Sequence, residues 1–237
     1  MNKKKLSILC TEGSLKSTSL REIAKGLSTA LCHKVLRTTK VAKRRQQIKY
    51  GQGVDKLTQY KWFEEQGIPA LEFTTSMAQA MRWNETDIVF GRELLNGSCG
   101  KGIHILLPTE HYLWTALPVY TLYKRKKREF RVHIFKDQVV CVVEKKRKVG
   151  WDGQQDTKIR NLANGYVFCQ DVLNEPEGLR PLALRAACIS PSDFRGVDIG
   201  FNEKKQELFV IEVNGQPGIQ GSNIAKYLEK IVNYVQA

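Results

Sequence analysis

The alternation of apolar and polar positions is sharpest in the last third of the chain. Between Arg195 and Phe201, Val197, Ile199 and Phe201 alternate with Asp198 and Gly200; between Phe209 and Asn214, Phe209, Ile211 and Val213 alternate with Val210, Glu212 and Asn214. A period of two predicts strands with one apolar face and one oxygen-bearing face. The polar link Asn202–Gln206 is too short for a helix, so the two strands form a predicted hairpin. Glu129–Phe135 alternates in the same way, with Glu129, Arg131 and His133 on one face, and Val139–Val143 is its expected partner. Helical stripes lie elsewhere. Leu20, Ile23, Ala24, Leu27 and Leu31 follow a capping box at Ser19–Glu22, and Asp55 caps a helix that buries Leu57, Tyr60 and Phe63 and stops at Gly67. Ser76 caps a shorter helix with Met77, Ala80 and Met81 inward, Pro181 opens another, and Ser222 or Asn223 caps the last, with Ile224, Tyr227, Leu228, Ile231 and Val235 on one side. Short strands are expected at Leu6–Cys10, Val35–Lys40, Gln47–Tyr50, Asp87–Arg92 and Gly102–Leu107, and Trp114–Leu122, broken by Pro118, reads as an edge strand or a hinge.

Composition narrows this α+β pattern. A chain of 237 residues makes one large domain or two small ones. No apolar run nears the ~20 residues that span a bilayer, and Met1–Cys10 lacks a leader's pattern, so a cytoplasmic protein without a membrane segment is expected. Six scattered cysteines (10, 32, 99, 141, 169, 188) form no C-x-x-C pair, and four histidines show no ligand spacing, which argues against zinc and for free thiols. The net charge of +14 attracts polyanions: nucleotide phosphates, nucleic acid or an acidic polymer. Three basic clusters carry much of it, at Lys40–Arg45, Lys124–Arg128 and Lys145–Lys148.

Pairing the last two strands antiparallel brings Asp198 beside Glu212 and Asn214. Two carboxylates and an amide oxygen on one face repel unless a cation joins them, and an all-oxygen set suits Mg²⁺ or Mn²⁺ shared with phosphates. An ordinary acidic hairpin face is the plain alternative, but Gly215-Gln-Pro217-Gly218 gives this strand an unusual, sharp exit. A second feature is Gly97-Ser98-Cys99-Gly100-Lys101-Gly102, a glycine-rich hairpin tip whose N–H groups can wrap phosphate oxygens, although no Walker or dinucleotide fingerprint is present. A third is Arg160 beside Asn161, since an arginine fork holds phosphate oxygens in two directions.

The runs G-V-D-I-G (196–200) and I-E-V-N-G-Q-P-G-I-Q-G (211–221) resemble the metal-binding signature of the ATP-grasp superfamily, in particular the carboxylate–amine ligase branch that includes the enzyme adding glutamates to a ribosomal protein's tail and short phage-type versions. The likeness extends in order from about residue 50 to the end. It implies an ATP-grasp fold: two α+β subdomains gripping nucleotide between antiparallel sheets, here at 54–117 and 118–237, after a short N-terminal α/β lobe at 1–53. It also implies roles. Lys56 would reach the nucleotide, Arg92 would stand where the family has a phosphate-binding lysine, and Gly97, Ser98, Gly100, Lys101 and Gly102 would form the lid. Val119 and Tyr120 would be the hinge that reads adenine, Arg131 would follow it on the next strand, and Arg160 and Asn161 would act on the transferring phosphoryl group. Asp198, Glu212 and Asn214 would hold Mg²⁺ or Mn²⁺.

The expected activity is an ATP-dependent, ADP-forming union of a carboxylate with an amine through an acyl phosphate, in the cytoplasm, or the host's cytoplasm if the chain is phage-encoded. Two other readings stay open: a basic nucleic-acid-binding protein, and an ATP-grasp domain that binds nucleotide without ligase chemistry.

Overall fold

A computed structural model describes residues 5–42, 44–97, 100–108, 114–153 and 158–237. The first lobe holds β1 (Leu6–Cys10), α1 (Thr18–Ala30), β2 (Leu36–Thr38) and β3 (Gln46–Tyr50). Next come α2 (Lys56–Glu65), β4 (Phe73–Thr74), α3 (Met77–Asn84), β5 (Val89–Arg92), β6 (Ile103–Leu106) and β7 (Val119–Leu122). The remainder is β8 (Arg128–Phe135), β9 (Gln138–Arg147), β10 (Tyr166–Cys169), α4 (Leu179–Ala187), β11 (Phe194–Asn202), β12 (Glu207–Asn214) and α5 (Ser222–Gln236). Three sheets result: parallel β2-β1-β3, antiparallel β4-β7-β5-β6 and antiparallel β10-β9-β8-β11-β12. Among the described residues no helix is long and apolar enough to cross a membrane.

The lobes are joined more closely than the sequence pattern suggests. α1 lies against α5, and Leu6, Ile8, Leu20, Ile23 and Ile48 share one core with Phe135, Phe194, Tyr227 and Ile231 from the large sheet and α5. α1 begins two residues before the expected box, because the Ser17 hydroxyl accepts from Leu20 N while Ser19 Oγ is taken by Ile219 N, 3.1 Å away. Likewise α5 has Gly221 rather than Ser222 or Asn223 as its cap. The Ser222 hydroxyl donates to Gln170, and the Asn223 amide oxygen accepts from Cys141 Sγ.

Three further positions differ from expectation. β7 pairs with β4 and β5, so the chain leaves the small sheet after Leu122 rather than at residue 117. α2 puts Tyr60 and Phe63 into the core of the large sheet, with Phe130, Val132, Val197, Ile199 and Val210, rather than onto the small one. Met77 is exposed, and α3 buries Ala80 and Asn84 instead. Asn84 Nδ2 donates to the Asp87 and Leu106 carbonyls, which fixes that short helix by hydrogen bonds where two methionines had suggested apolar packing.

β12 is an edge strand of the large sheet, and its outer edge is capped by the α2 region. Gln59 acts as a one-residue partner strand: Oε1 accepts from Val213 N at 2.7 Å and Nε2 donates to Val213 O at 3.0 Å and Val54 O at 2.7 Å. The Pro69 carbonyl accepts from Val210 N, and Ala70 bridges to Val210 in parallel sense. These contacts satisfy backbone groups that an uncovered edge would leave unpaired. Gln59→Leu keeps the volume but orphans the Val213 N–H and C=O. Urea unfolding should show a loss of roughly 2–4 kcal/mol, against under about 1 for an exposed substitution such as Lys61→Gln.

Candidate active site

The small and large sheets face each other across a cleft of about 960 Å³. Its floor is the polar face of β8, β9, β11 and β12. Asp198 lies directly opposite Glu212 in the β11–β12 register, and Asn214, paired with Gly196, lies two positions along. One departure from simple alternation matters. The register slips between Asp198 and Ile199, so Glu212 pairs with Asp198 but Val210 pairs with Ile199, leaving Ile211 as an extra, bulged residue. Val210 and Val213 therefore both enter the core, while Phe209 and Ile211 join Glu212 and Asn214 on the cleft face. The bulge sets an apolar patch beside the acidic one. Gly200 makes room for it: a Cβ there would meet the Phe209 ring at 2.4 Å.

The carboxylates are ionised and partnered. Asp198, 2% exposed, takes a two-point grip from Arg131 (Nε to Oδ1 2.6 Å, Nη2 to Oδ2 2.8 Å), and Lys145 Nζ donates to Oδ2 at 2.9 Å. Burial alone would raise the Asp198 pKa, but the Arg131 and Lys145 charges override it and hold the carboxyl far below its usual range. Lys145 also donates to buried Glu129, 2.5 Å away, and Lys126 Nζ stands 3.5 Å from the same carboxylate. Glu212 is likewise opposed by burial but depressed by Lys56, 3.1 Å away. Asn214 Nδ2 donates to Glu212 Oε1 at 3.0 Å, which turns its own carbonyl oxygen away from that bond.

Among the described residues no group of three or more His, Cys, Asp or Glu side chains gathers as a metal cage. The donor set fits a different ion: two carboxylates and one amide oxygen, with spare lone pairs on Asp198 Oδ1 and on both Glu212 oxygens, suit Mg²⁺ that takes its other ligands from phosphate and water.

The opposite wall comes from β5 and the lid. Arg92 is buried and lines the cleft with Phe90 and Ile103. Lys56 ties the root of the lid to the floor: its backbone N donates to Leu95 O, and its Nζ donates to Gly97 O at 2.9 Å. Gly100, with φ +79°, closes against the loop before β10, where a Cβ would stand 3.0 Å from Ile159 and 3.1 Å from Asn161. Lys101 lines the cleft; Gly102 does not, and instead closes the hairpin by accepting Glu93 N. Ser98 lies outside the described residues. Arg160 lines the cleft, with Nη2 donating to the Lys126 and Lys127 carbonyls at 3.1 Å each and Nε buried without a partner. Asn161 also lines it, while its side-chain oxygen caps the short turn 162–164.

Val119 and Tyr120 are not on the cleft. Both are fully buried inside the small sheet, and the Tyr120 hydroxyl donates to Thr115 O. The residues that line the cleft come just after, at Leu122–Lys124. The sequence pattern also gave no role to Lys126, Glu129 or Lys145. Their signal lies in the β8–β9 register, which a second irregularity at His133/Ile134 hides from simple counting.

Among the described residues, nine lysine and arginine side chains line the cleft against three carboxylates. The Lys124–Arg128 and Lys145–Lys148 clusters thus direct much of their charge inward: Lys124, Lys126 and Lys145 face the cleft, and Arg128 binds Glu144 with both fork nitrogens. On the same cleft-side face of β8, His133 is 2% exposed and hydrogen-bonds Tyr227 Oη through Nδ1.

Residues 120–234 match the family model of the RimK-like ATP-grasp domain. No curated protein sequence matches the chain. Solved structures resemble it along nearly its full length. The ATP-grasp ligase PsnB in complex with minimal precursor, Mg and ADP superposes with a TM-score of 0.68 at 11% identity, covering 97% of each chain. D-alanine–D-alanine ligase from Bacillus anthracis in complex with ATP gives 0.61 at 14%, covering 98% of this chain and 96% of that one. The RimK domain protein from Sphaerobacter thermophilus DSM 20745 gives 0.60 at 11%, covering 98% and 100%. The fold is that of the ATP-grasp ligases.

His133 supplies a pH test. Burial, then the Arg131 charge, pushes its pKa down to about 3 from 6.5, so it stays neutral when folded and takes a proton only on unfolding. Between pH 6.5 and 3 the unfolded chain binds more protons, so stability falls as pH falls. From pH 7 to 5 the wild type should lose about 2 kcal/mol in urea unfolding, above the range in which ordinary carboxylates titrate. His133→Gln should lose most of that slope.

Proposed function

We propose that this chain, with its ATP-grasp fold and a RimK-like domain over residues 120–234, is an ATP-dependent ligase joining a carboxylate to an amine with release of ADP and phosphate. One observation carries the reading. Asp198, Glu212 and Asn214 share one face at the floor of a cleft whose lining charge is strongly positive.

The chemistry explains why such a site is needed. A free carboxylate does not acylate an amine, because oxide is a poor leaving group. Transfer of the terminal phosphoryl group forms a bond from a carboxylate oxygen to phosphorus and breaks the bond to the ADP oxygen. The amine then attacks the acyl carbon, the C–N bond forms, phosphate departs, and the amine's proton passes to solvent. Asp198, Glu212 and Asn214 would hold Mg²⁺ or Mn²⁺, whose contribution is to offset the negative charge of the terminal phosphates. Lys56, Arg92 and Lys101 would hold phosphate oxygens in line, with the Leu122–Lys124 backbone against the base and Phe209 and Ile211 beneath it. Arg160, whose Nε has no partner, would meet the charge that builds on the transferring group, where one such donor contributes about 3 kcal/mol. The contact of Gly100 with Ile159 and Asn161 supports a lid that shuts water from the reactive ester.

The peptide bound by PsnB supports a peptide as one substrate. Free thiols at Cys10, Cys32, Cys141, Cys169 and Cys188 support a reducing, cytoplasmic setting.

Mg-ATP at about 100 times its dissociation constant should stabilise the protein by about 2.7 kcal/mol and raise Tm by several degrees. The shift should vanish in Glu212→Ala, and ADP release should appear on screening paired amino acids and peptides. A shift produced only by oligonucleotide, and steeply weakened by salt, would instead favour a nucleic-acid-binding protein.

A further inference from the structure

Two buried donors near the lid have no partner, and they lie side by side. Tyr60 is 1% exposed, stacked on Phe73 with ring centres 5.7 Å apart, and its hydroxyl forms no hydrogen bond. Arg92 is 6% exposed, and its Nε is buried without an acceptor among the described residues. Burial raises the Tyr60 pKa while the nearby Arg92 guanidinium, by its charge and as a hydrogen-bond donor, pulls it back, so the two groups stand close together. Yet neither Tyr60 Oη nor Arg92 Nε has a hydrogen bond of proper geometry among the described residues. A buried polar atom without a partner is destabilising, and two side by side mark a place that can take another group.

The chain arranges this pair deliberately. Lys56 and Tyr60 are one helical turn apart on α2, so they share a helix face; Lys56 lines the cleft and Tyr60 lies buried beside it. Arg92 enters the same space from β5 and lines the cleft. Nothing in the described protein accepts from its guanidinium. Glu212 feels the Arg92 charge but does not hydrogen-bond it, and a buried guanidinium without an acceptor is costly, so an entering anion that accepts from it resolves that cost. An anion bound by the two Nη groups leaves the Nε–H edge of the guanidinium to be satisfied from the protein. A phenol oxygen meets that need; a lysine at this position would have no such edge.

We propose that Tyr60 is a positioning residue for Arg92: when a nucleotide phosphate engages the Nη pair, Arg92 Nε donates to Tyr60 Oη, and this bond fixes the fork for two-point phosphate binding. The inference rests on the nucleotide-binding part of the proposed function and adds to it a residue outside the motifs. It also gives a reason for arginine at position 92, since the tyrosine and the arginine would work as a pair.

The test is Mg-ADP affinity by calorimetry for wild type, Tyr60→Phe, Arg92→Lys and the double variant, with the Tm of each free protein. Tyr60→Phe should bind about tenfold more weakly, as expected for one hydrogen bond from a charged donor. Its nucleotide-free Tm should be unchanged or higher, because the hydroxyl it removes is unpartnered. In the Arg92→Lys background the same change should have no effect on affinity, a coupling that a merely structural tyrosine would not produce. Equal affinity of wild type and Tyr60→Phe would overturn this inference alone. So would equal losses in both backgrounds, or a lower Tm for free Tyr60→Phe. Absence of binding by the wild type would overturn the ligase reading and this inference with it.

Discussion

A carboxylate that is 2% exposed keeps its charge only if cations are built around it, and the large sheet is organised to do this for Asp198. Arg131 comes from β8, Lys145 from β9 and Asp198 from β11, so three neighbouring strands must hold register for the group to exist. Glu129 balances Lys145 and Lys126, and Lys56 balances Glu212 from a helix outside the sheet. The result is a floor whose charges are satisfied pair by pair but whose total stays positive. Removing one partner would leave a buried charge uncompensated, which costs far more than an exposed pair is worth. The floor's scaffold is thus held by its own ion pairs.

Much of this was readable in the sequence, for physical reasons. A period of two fixes which side chains share a strand face, so Asp198, Glu212 and Asn214 could be grouped from spacing alone. Asp55 and Ser76 cap their helices as expected because nothing competes for their oxygens. Ser19 and Ser222 fail as caps because distant residues, Ile219 and Gln170, claim their hydroxyls. The bulge at Ile211 was invisible because an inserted residue leaves composition and polarity unchanged while reversing the faces on one side of it. Lys145 was equally hidden: in a run of basic residues, only cross-strand register tells the one that turns inward from those that face solvent. That Val119 and Tyr120 are buried inside the small sheet was not legible, because an apolar run does not say whether its strand lies at an edge or, as here, between β4 and β5.

The edge of β12 joins stability to the site. Val213 lies between Glu212 and Asn214, and it is the residue whose backbone Gln59 pairs. One glutamine side chain therefore closes the sheet and holds the Glu212 and Asn214 side chains at their spacing. Lys56, three residues earlier on the same helix, reaches Glu212 and the lid at once. α2 thus belongs to the large sheet by packing and to the lid by contact.

The core that the first lobe shares with the far end of the large sheet's cleft-side face has a consequence for how such a chain can change over generations. Phe135, Phe194, Tyr227 and Ile231 would be stripped bare if the β1–β3 lobe were exchanged for another. That lobe is therefore not an interchangeable cassette. A wholesale swap would first have to rebuild the end of the sheet face that also carries Arg131 and Asp198.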